Sequence, residues 1–87
     1  MITVLDFYAK WCGPCKKLSP IIDNLKITYP NITFTKIDIE KEKELSEKYE
    51  IESLPTIIIL DHNNQIISKI VGLNIPLLTT EIRKIAY

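Results

Sequence analysis

Two cysteines, Cys12 and Cys15, stand three positions apart in the run Trp11-Cys12-Gly13-Pro14-Cys15. Two thiols at this spacing can close a small disulfide ring and reopen it by exchange with another disulfide. If a helix begins at the pair, its free backbone N–H groups and the positive end of its dipole favour a thiolate over a thiol. The motif therefore predicts a redox-active dithiol, and two structural cysteines that happen to be close are the alternative.

The inventory of possible ligands argues against a metal at this pair. A structural zinc ion usually takes four Cys or His ligands, and the chain offers Cys12, Cys15 and a single histidine, His62. Two cysteines are also too few for a disulfide scaffold. We therefore expect no metal site, a redox role for the cysteines, and no catalytic role for His62, which we place in solvent at a hairpin tip.

Length and composition predict one small domain that spans residues 1–87. Hydrophobic residues make up 46% of the chain, which is enough for a compact core. The 11 basic and 11 acidic side chains cancel, so the charge favours neither nucleic acid nor an anionic membrane as a partner. The longest apolar run, residues 57–60, is too short to span a bilayer, and the N-terminus does not resemble a signal peptide. We expect a cytoplasmic protein that is a monomer.

Hydrophobic periodicity predicts seven elements in the order β-α-β-α-β-β-α. The predicted strands cover residues 1–8, 32–39, 57–60 and 65–71, and the first two helices cover 12–28 and 40–49. Asn74 is expected to cap the third helix. The strand at 32–39 alternates in polarity, and we expect its centre to be buried on both faces. A parallel βαβ unit followed by an antiparallel hairpin makes an α/β domain, with a four-stranded mixed sheet flanked by three helices.

One carboxylate, Asp6, interrupts the apolar first strand. A buried carboxylate without a partner is costly, and such a group usually responds with a raised pKa. The pattern therefore predicts a buried acid at Asp6, and an aspartate that faces solvent from a strand edge is the alternative.

From Asp6 to Lys16 the chain resembles the active-site strand and loop of the thioredoxin family. Further positions resemble the family in order and spacing, namely Pro20, Lys36, Asp38, Leu54-Pro55-Thr56 and Gly72. The resemblance covers essentially the whole chain and implies a thioredoxin-like fold in a minimal version, without the family's usual N-terminal strand and helix. It also implies a reducing dithiol–disulfide couple with a reduction potential of about −270 mV. Such a couple needs no bound cofactor, because the cysteines themselves hold the electrons. Tyr8 stands where the family usually has a second tryptophan.

The resemblance implies a role for each reacting group. We expect Cys12, as the better exposed thiol, to attack a substrate disulfide and Cys15 to resolve the mixed disulfide. Asp6 is expected to act as the general base for Cys15. Lys36 is expected to be the charge partner of Asp6, and an ordinary surface lysine is the alternative.

The residues around the pair are expected to form the substrate-binding surface. Gly13 is expected to let the loop turn without a Cβ clash, and Pro14 to begin the helix. Trp11 is expected to shield the thiols, with a purely packing role as the alternative. Pro55 resembles a cis-proline that turns the Leu54 backbone towards substrate, and an ordinary trans proline is the alternative. The full predicted set is Trp11, Gly13, Pro14, Leu54, Pro55 and Gly72.

These expectations favour a thioredoxin-type protein-disulfide reductase, a thiol-disulfide oxidoreductase that acts in electron transport and cell redox homeostasis. Its expected substrates are protein disulfides, and its expected partner is a flavoenzyme of the thioredoxin reductase type, with NADPH as the electron source, or the glutathione system. Two other functions stay open. One is a glutaredoxin-like or disulfide isomerase-like oxidoreductase, and the other is a redox-inactive binding module on the same scaffold.

Overall fold

A computed structural model describes residues 1–86 and contains the seven predicted elements in the predicted order. They are β1 (Thr3–Tyr8), α1 (Gly13–Thr28), β2 (Thr33–Asp38), α2 (Lys43–Lys48), β3 (Thr56–Leu60), β4 (Ile66–Val71) and α3 (Ile75–Ile85). The α2 helix is shorter than predicted because residues 39–41 form a turn, closed by backbone hydrogen bonds from Lys41 and Glu42 to the Asp38 carbonyl. None of the helices in this described part is long and apolar enough to cross a membrane.

The sheet order is β2-β1-β3-β4. β1 pairs in parallel with β2 and antiparallel with β3, and β4 pairs antiparallel with β3. β1 therefore lies inside the sheet, and the cysteine loop emerges from the C-terminal end of this central strand. The mixed sheet with three helices confirms the predicted fold class.

The prediction that β2 is buried on both faces at its centre is wrong. Thr33, Thr35 and Lys36 are exposed, and burial is confined to Ile37 and Asp38 at the end of the strand. The reason is the position of β2 at an edge of the sheet, where β1 is its strand partner among residues 1–86. An alternating pattern does not distinguish an edge strand from a central one.

Apolar side chains fill both faces of the sheet. One core lies beneath α1 and α3 and includes Val4, Leu18, Ile22, Leu25, Ile57, Ile59, Leu78 and Ile82. The other lies beneath α2 and is built on Leu5, Phe7, Ile37, Ile58 and Leu60. Of the tyrosines predicted to pack, Tyr29 contacts the first core and Tyr49 the second, whereas Tyr87 lies outside the described residues.

Two isoleucines on α1 test the first core. Ile22 is 0% exposed and Ile27 is 79% exposed, so the same truncation removes buried atoms at one position and solvated atoms at the other. We expect Ile22→Ala to lower the free energy of unfolding by about 2–5 kcal/mol, and Ile27→Ala by about 0.5 kcal/mol or less. Equilibrium denaturation in urea measures both values. Equal losses for the two variants would contradict this packing.

Candidate redox-active site

The start of α1 positions the two cysteines. Cys12 is the N-cap residue with an extended backbone, Pro14 occupies the first turn, and the backbone N–H of Cys15 donates to Cys12 Sγ at 3.1 Å. The two side chains form a disulfide, with their Cα atoms 5.3 Å apart. The predicted pairing is confirmed, and it lies at the positive end of the α1 dipole, which favours a thiolate once the disulfide is reduced.

Both cysteines are buried, so the expectation that Cys12 is the better exposed is wrong for the disulfide form. Cys12 is 5% exposed and Cys15 is 7% exposed. The cause is local packing, since Tyr8, Ile39 and Leu54 pack against the pair from three separate segments. What distinguishes the cysteines is the pocket that each one lines.

Cys12 opens onto a cavity of about 340 Å³ that joins three segments of the chain. Four predicted substrate-binding residues line it, namely Trp11, Gly13, Pro14 and Leu54. Trp11 is 68% exposed, which agrees with a surface role and disagrees with core packing. Sequence reasoning missed Ile39, Ile51 and Glu52 in this lining, because they come from loops with no motif of their own.

Pro55 and Gly72 are neighbours through a backbone hydrogen bond, and Pro55 directly follows Leu54 of this cavity. The Leu54–Pro55 peptide bond is cis, as predicted, and Pro55 is buried. The backbone N–H of Gly72 donates to the Pro55 carbonyl at 2.8 Å, and Gly72 has a φ of 83°. Gly72 is not among the residues that line the Cys12 cavity within residues 1–86, so its contact is with the proline loop.

The structural reason predicted for Gly13 is wrong. A Cβ atom on Gly13 would meet nothing within 4 Å, and its backbone is helical because α1 begins there. The position is exposed, so the loop does not need glycine in order to avoid a clash.

Asp6 is buried in β1, which confirms the prediction of a buried carboxyl group without a partner. The alternative of an aspartate that faces solvent is excluded. It is 3% exposed, and within residues 1–86 its Oδ1 atom has no hydrogen-bond partner. Burial raises the pKa of Asp6 from 3.8 to about 6, against smaller lowering effects from the charges of Lys36 and Lys26. Asp6 thus titrates close to neutral pH.

Lys36 acts on Asp6 through its charge, as predicted of a charge partner, but the two side chains form no direct ion pair. The two residues are register partners on β2 and β1, but Lys36 Nζ donates to Ser19 Oγ at 3.0 Å and lies 5.1 Å from the centre of the Tyr8 ring. Among the described residues no carboxylate oxygen lies within 4.0 Å of this ammonium. Lys36 therefore acts on Asp6 through charge at a distance.

Cys15 lines a second cavity, of about 250 Å³, which shares no lining residue with the cavity at Cys12. Tyr8, Ser19 and Lys36 line it together with Cys15. The site thus combines a disulfide at a helix N-terminus, a separate cavity at each cysteine and a buried acid on β1, the strand that leads into the cysteine loop. Within residues 1–86, no three side chains among Cys, His, Asp and Glu come together as metal ligands would. Dithiol–disulfide exchange is the chemistry that these groups can perform.

Comparison with known proteins agrees with this chemistry. Residues 1–84 match the model of the family described as Thioredoxin. The chain is 40% identical to a thioredoxin of Chlamydia pneumoniae over 72 residues, which are 83% of this chain and 70% of that protein. It is 37% identical to thioredoxin-1 of Saccharomyces cerevisiae over 73 residues, which are 84% of this chain and 70% of that protein.

Solved structures give the same result for the fold. A thioredoxin from Nicotiana alata superimposes with a TM-score of 0.94 at 29% identity, covering 99% of this chain and 74% of that one. Oxidised mitochondrial thioredoxin 3 from Saccharomyces cerevisiae gives a TM-score of 0.90 at 34% identity, covering 97% of this chain and 78% of that one. With the fold, the Cys12–Cys15 disulfide and these relatives in agreement, the chain belongs to the thioredoxin family of thiol-disulfide oxidoreductases.

Proposed function

We propose that the chain is a protein-disulfide reductase in which Cys12 attacks the substrate and Cys15 resolves the mixed disulfide. The observation behind this order is that Cys12 caps α1 and lines the apolar cavity beside Trp11 and Leu54, whereas Cys15 lies one turn further along the helix. A substrate disulfide that enters this cavity meets Cys12 first.

The reaction transfers two electrons from the dithiol to the substrate. The Cys12 thiolate attacks one substrate sulfur, a Cys12–substrate disulfide forms, and the first substrate thiolate leaves. Cys15 then loses its proton and attacks the sulfur of Cys12. The mixed disulfide breaks, the second substrate thiolate leaves, and the Cys12–Cys15 disulfide of the present structure forms.

Asp6 is the proposed acceptor for the proton of Cys15. Side chains alternate along β1, so Asp6 shares a face with Val4, which packs beneath α1, and with Tyr8, which packs against the cysteine pair. A carboxyl with a pKa of about 6 can take a proton near neutral pH and return it to solvent. The proton passes to Asp6 directly or through an intervening water.

The remaining parts of the proposal concern the location, the oligomeric state and the electron supply of the chain. The chain works as a cytoplasmic monomer without a bound organic cofactor, since the two cysteines store the electrons. A partner must reduce the disulfide after each cycle, and we propose a flavoenzyme reductase supplied by NADPH, with glutathione as the second possible donor. In this role the chain acts in electron transport between that donor and protein disulfides.

Insulin reduction with each electron donor in turn tests this proposal. We expect rapid precipitation of the insulin B chain with NADPH and a flavoenzyme reductase, and slow turnover with glutathione. The Cys12→Ser/Cys15→Ser variant is the control and should be inactive. A wild-type protein that reduces no insulin with either donor contradicts the proposal. A biological role that survives in the double variant, although insulin reduction is lost, points instead to a binding module on the same scaffold.

A further inference from the structure

The ammonium group of Lys36 contacts two neutral groups, the Ser19 hydroxyl and the Tyr8 ring. Ser19 lies on the second turn of α1, and its hydroxyl oxygen accepts a hydrogen bond from Lys36 Nζ at 3.0 Å. The same ammonium lies 5.1 Å from the centre of the Tyr8 ring, within the range of a cation–π contact. Neither contact belongs to the redox motif, and Tyr8 is a position at which the chain departs from the usual tryptophan.

The Lys36 ammonium has two possible positions, one at the Asp6 carboxyl and one at the cavity that Cys15 lines. Lys36 is the parallel register partner of Asp6 on the neighbouring strand, so its side chain is long enough to reach the carboxyl. Within residues 1–86, however, Nζ has no carboxylate oxygen within 4.0 Å, and Asp6 Oδ1 has no hydrogen-bond partner. The ammonium lies instead at the cavity of about 250 Å³ that Tyr8, Ser19 and Cys15 also line.

We propose that Ser19 is a positioning residue that, together with the Tyr8 ring, holds the Lys36 ammonium at the Cys15 cavity and out of contact with the Asp6 carboxyl. This rests on the proposed function, in which Asp6 accepts the proton of Cys15. An ammonium in direct contact makes a carboxylate a weaker base, because an opposite charge favours the ionised form. Ser19 thereby keeps Asp6 basic enough to act near neutral pH, and it keeps a positive charge at the cavity that Cys15 lines.

Few charged or titratable groups act on Asp6, so the pKa of Asp6 is sensitive to the position of the Lys36 ammonium. β2 contributes Lys36, and α1 contributes Cys15 and Lys26, whose charge also lowers the pKa of Asp6. The register partner on β3 is Ile57, and α3 adds apolar side chains to this core. In the oxidised protein Cys15 does not titrate, which leaves the two lysines as the charges that act on Asp6.

The test is to measure the pKa of Asp6 in the oxidised protein and in its variants. The NMR chemical shift of the ¹³C-labelled Asp6 carboxyl carbon is followed as a function of pH. We expect Ser19→Ala to lower this pKa by about 0.5–1 unit, because the freed ammonium moves to the unpaired carboxyl. Alanine favours the helix, so the variant should fold. Ser19→Thr retains the hydroxyl and should retain the wild-type pKa. Thr28→Ala is the matched control, since the Thr28 hydroxyl bonds the Asn24 carbonyl in the last turn of α1.

A double variant separates an effect through Lys36 from a general effect of the serine. Lys36→Gln should raise the pKa of Asp6, because it removes a positive charge, and adding Ser19→Ala to it should cause no further shift. An Asp6 pKa that is unchanged or raised in Ser19→Ala, or an equal drop in the Lys36→Gln background, overturns the proposal. Either result leaves the reductase function standing, since that function fails only if the wild-type chain reduces no disulfide.

Discussion

Replacing Cys15 by serine is expected to stop turnover and to leave the substrate attached to Cys12 through a mixed disulfide. The Cys12 thiolate still attacks, but a serine hydroxyl cannot displace the substrate thiolate from the Cys12 sulfur. We expect insulin reduction to fall by about three orders of magnitude or more, as is usual when a reacting group is removed. Mass spectrometry of the acid-quenched reaction detects the adduct and locates it on Cys12.

The matched control is Cys12→Ser, which differs from Cys15→Ser only in the position of the lost sulfur. This variant should also lose turnover, but it should form little adduct, because the remaining thiol, that of Cys15, does not line the cavity beside Trp11. Adduct formation through Cys15 at the same rate as through Cys12 would falsify the proposed order of attack.

The second large effect is expected at Asp6, where Asn should stabilise the protein at alkaline pH. The carboxyl has a pKa of about 6 in the folded state against 3.8 for an ordinary aspartate, so the folded state binds more protons between these two values. Stability is therefore highest below pH 3.8 with respect to this group, falls as the pH rises through about 6, and is constant above it. The total loss is about 3 kcal/mol, at 1.36 kcal/mol for each pKa unit.

Denaturation of the oxidised wild-type protein and of Asp6→Asn, at pH 4 and at pH 8, measures this effect. We expect the variant to be more stable than the wild type by about 2–3 kcal/mol at pH 8 and by much less at pH 4. Asp61→Asn is the control, because Asp61 is only partly buried, at the start of the hairpin turn, and hydrogen bonds from the Gln65 and Asn63 backbone N–H groups lower its pKa. A stability difference for Asp6→Asn that does not change with pH would contradict a buried carboxyl with a raised pKa.

The same variant should slow the resolving step without preventing the first attack. Without a carboxylate to take the proton of Cys15, the mixed disulfide should decay more slowly, by about 100-fold or more near pH 7, in line with the loss of a general base. The dependence on pH near 6 should also disappear, because it belongs to Asp6. Rapid-quench measurements of the mixed disulfide follow this step. A pH–rate profile identical to that of the wild type excludes Asp6 as the base.

Much of the fold could be predicted because local pattern and tertiary structure agree along this chain. The apolar spacing on α1 matches its buried face, where Leu18, Ile22 and Leu25 are all buried. Asn74 caps α3 as expected, since its side chain accepts a hydrogen bond from the Leu77 backbone at 3.1 Å. The motif likewise identified Cys12 and Cys15 as a disulfide, because their spacing and local helix start determine the geometry.

The errors lie where the outcome depends on segments distant in sequence. The exposure of Cys12 depends on Ile39 and Leu54, which reach it from two other loops. The exposure of β2 depends on its place at the sheet edge, and no pattern within Thr33–Asp38 encodes that place. The contact of Lys36 with Ser19 joins a strand to a helix, and a serine on an amphipathic helix gives no sign of a function.

A single turnover of the reduced chain, without any reductase, tests the central claim most directly. The pre-reduced protein is mixed with excess insulin, quenched in acid and alkylated, and the thiols of both proteins are counted by mass spectrometry. We predict that one insulin disulfide is reduced for each Cys12–Cys15 disulfide that forms. If insulin stays intact, or is reduced while both cysteines of the chain remain free to alkylate, then this pair is not the source of the electrons.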